Sequence, residues 1–244
     1  MTKAIGVIQA RLTSIRLAQK AVLPLAGRPV IHHLFDRARR IEGIDGLVLA
    51  IPTGEANDPL EAAAADYPDI AVVRGPDDDL VTRFLMAADL LKADVLVRMW
   101  GDCPVTDPNL ATGLLKLAVE AKAAWAQYPN DSGYPEGVES HVLSVHALRA
   151  LEVESDSMYE RENLMPFFLR QPDRFPILEV RRQPNRTVMK CLLDTHHDYD
   201  RITRIFEILY PENPLFGVAE LEALHEKSPE LFDPTHRVPH KGGA

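Results

Sequence analysis

Cysteine is nearly missing from this chain: Cys103 and Cys191 are its only two, which excludes a disulfide framework and leaves no cysteine-based zinc pattern. Long apolar runs are missing as well. No stretch approaches the roughly 18 apolar residues of a membrane span. Met1-Thr2-Lys3 leads straight into a short β-like run, without the longer apolar segment of a signal peptide. The expectation is a soluble protein of the reducing cytoplasm. Positive charge is also short, since 27 Lys plus Arg stand against 36 Asp plus Glu for a formal charge of −9. Such a balance repels nucleic acid and anionic membrane surfaces, so an anionic ligand has to be held by a local cluster of cations. The two adjacent histidine pairs lack the same-face spacing of a helical metal site. His32-His33 and His196-His197 are adjacent pairs, and they are expected to carry no metal.

At 244 residues the chain is long enough for one large α/β domain with a small appendage. Ala4 to Ile8, Leu47 to Ile51, Ile70 to Val73 and Val95 to Met99 are short runs rich in Val and Ile, as expected of strands buried on both faces. Helical stripes separate them: Val30, Ile31, Leu34, Ala38 and Ile41 form one, and Val81, Phe84, Leu85 and Ala88 another. Gly27-Arg28-Pro29 reads as a turn into the first stripe. This alternation predicts a mostly parallel, twisted sheet with helices on both faces, whose ligands bind at the C-terminal ends of the strands.

The alternation breaks from Tyr128 to Gly137, where Tyr, Pro, Asn, Asp, Ser and Gly read as a long functional loop or a domain edge. Beyond it the pattern predicts a strand over Val138 to Val145, an amphipathic helix over Met158 to Arg170, a strand over Val188 to Leu193 and a helix over Tyr199 to Tyr210. Thr235 to Ala244 has little to bury and reads as a tail.

Chemistry concentrates first in the loop after the Ala4 to Ile8 run, where Arg11, Ser14, Arg16 and Lys20 crowd one strand end. Three cations and a hydroxyl there suit a polyphosphate such as a nucleoside triphosphate; the alternative is arginines paired with local acids. Gly101-Asp102-Cys103-Pro104 follows the Val95 to Met99 run and puts a carboxylate at the same sheet edge. It reads either as a Mg²⁺ ligand or as a turn or helix cap near Asp107-Pro108. Asp194 has the same two readings, metal ligand beside Asp102 or N-cap of the following helix. The acids Asp77-Asp78-Asp79 invite comparison with the metal pair of nucleotide-sugar glycosyltransferases. They also fit a solvated acidic turn at a helix start, where an acid gains about 0.3 to 1 kcal/mol, with Arg83 as a partner for Asp79. Glu139 and His141, two apart in a predicted strand, share a face that meets either a substrate or solvent.

Taken together, Gln9-Ala10-Arg11, Ser14, Arg16, Leu17, Lys20, Leu25, Gly27, Pro29, Gly101-Asp102-Cys103-Pro104 and Asp107-Pro108 resemble the cytidylyltransferases that activate acidic sugars. The resemblance is strongest to the spore coat polysaccharide biosynthesis protein F branch, alongside acylneuraminate and 3-deoxy-manno-octulosonate cytidylyltransferases. It continues through Asn57-Asp58-Pro59-Leu60, Arg74-Gly75, Asp79, Arg83, Tyr134-Pro135-Glu136-Gly137, Tyr159-Glu160-Arg161-Glu162-Asn163 and Leu193-Asp194-Thr195, and covers most of residues 4 to 210. It implies a Rossmann-like nucleotidyltransferase domain over residues 1–234, with 128–182 as an acceptor-side and dimerisation extension in a homodimer.

The same resemblance implies that Arg11, Arg16 and Lys20, with Ser14, grip the CTP phosphates, that Asp102 and Asp194 hold Mg²⁺, and that Arg11, Lys20 and Asp102 carry the catalysis. Gln9, Ala10, Arg74 and Gly101 would line the nucleotide. Trp100, Glu139 and His141 would face a small acidic acceptor, whose hydroxyl displaces pyrophosphate from CTP on the way to a surface polysaccharide. The chain departs from the family pattern at Thr13, where Gly is usual, and at Ala18-Gln19, where Pro-Gly is usual. It departs again at Trp100, Glu139, His141 and His196, which points to an altered acceptor. Two rivals remain: a glycosyltransferase built on Asp77 to Asp79, and a catalytically silent nucleotide-binding relative.

Overall fold

The computed structural model describes residues 2–183 and 189–233; the tail expected at 235–244 lies outside them. The four Val/Ile-rich runs form strands β1 (Ala4–Gln9), β2 (Leu47–Pro52), β3 (Ile70–Gly75) and β4 (Val95–Trp100). Helices α1 (Val30–Ala38), α2 (Asp58–Ala64) and α3 (Leu80–Leu91) cross between them, and α4 (Pro108–Glu120) follows β4. Strands β5 (Trp125–Gln127), β6 (His141–Ser144) and β7 (Ile177–Glu179) complete the sheet. Its order is β3-β2-β1-β4-β6-β5-β7. β1 to β4 are mutually parallel, β6 is antiparallel to both β4 and β5, and β5 is parallel to β7. This is the Rossmann-like arrangement expected, with the sheet edge at Gln9 and Trp100 as its ligand face.

Strand alternation sorts the side chains into two layers. Ile8, Leu49, Ile51, Val97 and Met99 pack with α1, α2 and α4 on one face, while Ile5, Val7, Val48, Ala50 and Leu96 pack with α3 on the other. Helices α5 (Val145–Glu154), α6 (Met158–Asn163) and α7 (Met165–Leu169) lie on that second face, where Leu148, Leu151, Phe167 and Phe168 join the same apolar layer. Residues 128–182 therefore share the sheet and the core of the first half of the chain.

Helices α8 (His196–Leu209) and α9 (Val218–Lys227) build a third apolar cluster, in which Ile202, Phe206 and Leu221 meet Val138, Leu193 and Leu17. Leu17 belongs to the basic loop. The loop is thus clamped to the C-terminal helices from below.

Three expected elements come out differently. The single helix over Met158 to Arg170 is two short ones, because Leu164 takes a left-handed φ of 62° between them and Pro166 starts the second. The strand over Val138 to Val145 shrinks to His141–Ser144, since Gly137 turns at φ 100° and β4 offers partners only from Arg98 back to Val95. Val188 lies outside the described residues, and Met189 to Leu193 is an extended segment with one bridge, Glu136 to Lys190, in place of a full strand.

Candidate active site

The loop after β1 follows its own sequence pattern. Leu12 and Leu17 are buried, so Arg11, Ser14 and Arg16 between and beside them are left on the outer side, and Ile15 stands fully exposed at the tip. Two bonds hold the loop's shape: the Leu12 backbone N–H donates to Asn57 Oδ1 at 3.0 Å, and the Gln19 N–H donates to the Leu12 carbonyl at 3.3 Å. Gln19 closes the loop at φ 55°, a left-handed conformation that glycine reaches at no steric cost. Lys20 then begins a short 3₁₀ turn that points its side chain inward.

Two more segments converge on Lys20. The Gly101 N–H donates to the Gln9 carbonyl at 2.8 Å, and a Cβ at Gly101 would lie 2.6 Å from the Ala10 Cβ, so only glycine lets this turn lie against the basic loop. Asp102 follows directly, and its carbonyl accepts the Leu193 N–H at 2.9 Å. That backbone bond delivers Asp194 to the same place. Lys20 Nζ lies 2.5 Å from Asp102 Oδ2 and 3.6 Å from Asp194 Oδ1, while Arg16 Nη2 lies 2.8 Å from the same Asp194 oxygen. Asp194 is not the helix cap. Thr195 takes that position, forming a capping box with Asp198, which leaves the Asp194 carboxylate for the cations.

The cleft above these residues has a volume of about 1010 Å³. Gln9, Ala10, Arg11, Ser14, Arg16, Lys20, Trp100, Gly101, Asp102 and Asp194 all line it. Arg11, Arg16, Lys20, Arg83 and Arg98 balance Asp77, Asp102, Glu136, Glu162 and Asp194 around its wall. For a chain of net −9 this is a local enrichment in cations. Such a wall can hold a polyanion against one side and a cation against the carboxylate pair.

Three expected site residues stand outside that wall. Arg74 is turned away, its Nη1 at 2.8 Å from both Asp58 and Glu61 and its Nη2 donating to the Gly54 carbonyl at 2.7 Å. The local acids of α2 take this arginine. His141 lies behind Trp100, edge-on with ring centroids 4.7 Å apart, and also contacts Trp125. Burial, reinforced by Arg98, pushes its pKa well below the usual histidine value, so the ring is neutral. Glu139 Oε2 accepts the Gly137 N–H at 2.6 Å, and burial raises its pKa.

The acid triplet divides its work. Asp79 caps α3, accepting from the Thr82 N–H at 3.0 Å, and is gripped by Arg161 through Nε at 2.9 Å and Nη2 at 2.6 Å. Arg83 is not its partner; Arg83 Nη1 donates to the carbonyls of Pro76 and Asp77. Asp77 lies 3.6 Å from Arg11 and 3.8 Å from Arg83. His32 and His33 place their Nε2 atoms 3.0 and 2.8 Å from the Ala63 and Leu25 carbonyls.

Sequence reasoning gave no site role to Arg83, Arg98, Glu136, Glu162, Asn163 and Leu192, which also line the cleft wall. Arg98 carried a signal, a charged residue interrupting the apolar run Val95 to Met99. The others arrive through turns and crossovers that leave no local periodicity.

Residues 5–228 match the cytidylyltransferase family profile. The chain is 27% identical to the spore coat polysaccharide biosynthesis protein SpsF of Bacillus subtilis, over 94% of this chain and 97% of that protein. It is 22% identical to the 8-amino-3,8-dideoxy-manno-octulosonate cytidylyltransferase of Shewanella loihica, over 91% and 93% of the two chains. A solved cytidylyltransferase from Leptospira borgpetersenii serovar Hardjo-bovis superimposes with a TM-score of 0.89 at 22% identity, covering 98% of this chain and 100% of that one.

Proposed function

The chain belongs to the cytidylyltransferase family and is a nucleotidyltransferase, and on that premise we propose that it transfers CMP from CTP to a small acidic sugar, releasing pyrophosphate. The observation that carries this reading is the convergence of Arg11, Arg16 and Lys20 with the Asp102 and Asp194 carboxylates in one cleft at the C-terminal edge of the sheet. The cations neutralise and align the triphosphate, with the Ser14 hydroxyl as a neutral donor. An acceptor hydroxyl attacks the α-phosphorus in line; its bond to phosphorus forms as the bond to the bridging oxygen breaks, and pyrophosphate leaves with that electron pair. The hydroxyl proton passes to solvent. Arg11, Arg16 and Lys20 spread the charge that builds on the leaving oxygens, so no protein nucleophile is required.

Gln9, Ala10 and Gly101 surround the nucleotide through their backbone. Arg74 supports this from behind: it fixes residues 54–61, and Asn57 within that segment accepts the Leu12 N–H of the basic loop. Trp100 lines the acceptor side, backed by His141, while Glu139 braces the Gly137 turn.

Asp102 and Asp194 are the residues that would hold Mg²⁺. Their donor set fits, because both are oxygen ligands already sharing one cation, the Lys20 ammonium, and Mg²⁺ is held by one or two carboxylates together with substrate phosphates. When bound, the ion supplies Lewis-acid charge neutralisation at the phosphates.

The product would feed a surface polysaccharide, in keeping with the name of the Bacillus relative. Among the described residues no helix is long and apolar enough to cross a membrane. A homodimer is supported by Val153, Met158, Tyr159 and Leu169, large apolar side chains exposed on α5 to α7. Light scattering on the purified chain tests it, and a monomer at micromolar concentration overturns it.

The central test is pyrophosphate release from CTP with Mg²⁺ and a panel of sugar acids and phosphonates, with ATP, GTP and UTP as controls. Release with CTP and a sugar acid is expected. No release with any acid across the panel overturns the proposal.

A further inference from the structure

Arg98 stands apart from every other cation of the cleft. Arg11 faces Asp77 and Glu162, Arg16 faces Asp194, Lys20 faces Asp102 and Asp194, and Arg83 faces Asp77. Among the described residues no carboxylate pairs with Arg98, although its side chain is only 8% exposed. Its Nε donates to Gln9 Oε1 at 2.8 Å, and its two Nη atoms have no acceptor among the described residues. The guanidinium carbon lies 4.7 Å from the Trp100 ring centroid and 5.7 Å from that of Phe84, so the group is held over two aromatic rings. Arg83 repels it; burial first, and then Arg83, bring its pKa down to about 9.

A buried charge without a counter-ion is costly, and proteins pair it or replace it. Stacking on Trp100 and Phe84 offsets only part of that cost. Arg98 lines the cleft, so a bound anion can complete what the fold leaves open. The shape of the opening selects the anion: two parallel Nη donors on an oriented plane match a planar carboxylate in a bidentate pair. The triphosphate already has its own cations on the loop after β1. Arg98 sits instead on β4, in register with His141 of β6 and directly below Trp100, on the half of the sheet assigned above to the acceptor.

We propose that Arg98 is the carboxylate-recognition residue of the acceptor subsite, its Nη1 and Nη2 receiving the acid group of the sugar while Gln9 and Trp100 fix the plane of the guanidinium. This rests on the acceptor reading given under Proposed function. It assigns acid selectivity to a residue distinct from the phosphate grip and from the carboxylate pair. Gln9 thereby acquires a second role, since its side chain orients Arg98 while its backbone adjoins Gly101.

The test uses whichever of 3-deoxy-manno-octulosonate, its 8-amino-8-deoxy analogue and N-acetylneuraminate turns over fastest, together with the carboxamide of the same sugar. Pyrophosphate release is followed for the wild type, Arg98→Met and Arg98→Lys at saturating CTP, and CTP is then varied at fixed acceptor. Arg98→Met should raise KM for the acid by about 30- to 100-fold, leave KM for CTP within about twofold and leave the carboxamide unaffected. Arg98→Lys, which keeps the charge and carries the test if the Met variant fails to fold, should recover part of the preference for acid over amide. Equal losses for acid and carboxamide overturn the assignment in favour of a structural role. A raised KM for CTP alone overturns it in favour of the nucleotide. If the wild type turns over none of the acids, the acceptor reading itself fails and this assignment falls with it; that outcome is distinct because it appears before any substitution is made.

Discussion

Lys20 Nζ lies 2.5 Å from Asp102 Oδ2 in a contact where 14% of the lysine and 23% of the aspartate side chain remain exposed. The same ammonium reaches Asp194 at 3.6 Å. A group expected to grip phosphate is therefore parked on the two carboxylates expected to hold the metal. One cation can occupy that position at a time. On the proposed function, nucleotide binding and metal binding would be coupled through Lys20, because phosphate would draw the ammonium away and free the carboxylates.

Lys20→Met tests this coupling with a measurement that needs no turnover. Without its ammonium the pair Asp102 and Asp194 retains, among the described residues, only Arg16 as a close cation, so Mn²⁺ or Mg²⁺ titrated calorimetrically in the absence of nucleotide should bind about tenfold more tightly than in the wild type. CTP should bind about 10- to 100-fold more weakly in the same variant, through loss of a charge-assisted contact. Unchanged metal affinity would sink the coupling.

Asp102→Asn should lower kcat by about 100-fold or more, since an amide neither repays the lysine contact nor binds a hard dication well. The fold should survive: Asp102 is partly exposed, and the carbonyl that holds Leu193 is unchanged. Thermal melting alongside steady-state pyrophosphate assays separates the two effects. Turnover close to wild type would remove Asp102 from the chemistry.

How much of this site could be read beforehand depended on whether the signal was local. β1 to β4 were legible because strands buried on both faces carry continuous apolar runs, and the basic loop was legible because its cations are adjacent in sequence. Arg74 was misplaced because its partners Asp58 and Glu61 lie on α2, across a crossover that sequence spacing does not reveal. Asp194 kept two readings until the Thr195 and Asp198 capping box showed which residue caps α8. Arg98 passed unnoticed inside an apolar run, since nothing in a single strand tells whether a lone arginine is paired. The break at Leu164 was hidden because Leu164, Phe167 and Phe168 keep helical spacing straight across it.

Asp79→Ala should destabilise the fold by about 2 kcal/mol, combining the loss of an N-cap with that of an ion pair in which Arg161 Nε and Nη2 both donate to one Asp79 oxygen and each side chain is 16% exposed. Burial raises the Asp79 pKa, but the hydrogen bonds from Thr82 and Arg161 outweigh it and hold the group below the usual carboxylate value. For a depressed acid the stabilisation is present above the unfolded pKa and is lost as pH falls through the folded one. The deficit of the variant, measured by urea denaturation, should therefore be full at pH 7 and shrink below about pH 4. A deficit independent of pH would show that the charge of the carboxylate contributes nothing to the fold.

Gln19 offers a substitution in the favourable direction. Its φ of 55° is left-handed, a conformation that costs an L-residue about 1 to 2 kcal/mol and glycine almost nothing. Part of that gain is returned as extra entropy of the unfolded chain. Gln19→Gly should stabilise by roughly 0.5 kcal/mol, read as a higher melting temperature. Among the described residues no hydrogen bond is lost, since the Gln19 N–H to the Leu12 carbonyl is a backbone contact. A lower melting temperature would mean that the side chain itself supports the loop.

His33 should set part of the acid sensitivity of the fold. It is buried beneath Phe206 and Tyr210 with its Nε2 2.8 Å from the Leu25 carbonyl. Burial, against the pull of that carbonyl, brings its pKa down to about 4. In the unfolded chain a histidine takes up its proton near pH 6.5, so between about pH 6.5 and 4 the unfolded state binds one proton more than the folded state. Stability attributable to His33 is therefore intact above about pH 6.5, falls by about 1.4 kcal/mol per pH unit through that window and levels off below it. His33→Gln keeps a side-chain donor for the Leu25 carbonyl but cannot titrate. Urea denaturation of the variant at pH 7 and pH 5 should show a smaller difference than the wild type, by about 2 kcal/mol; the same acid slope in both proteins would place the sensitivity elsewhere, with the similarly depressed His141 as the next residue to replace.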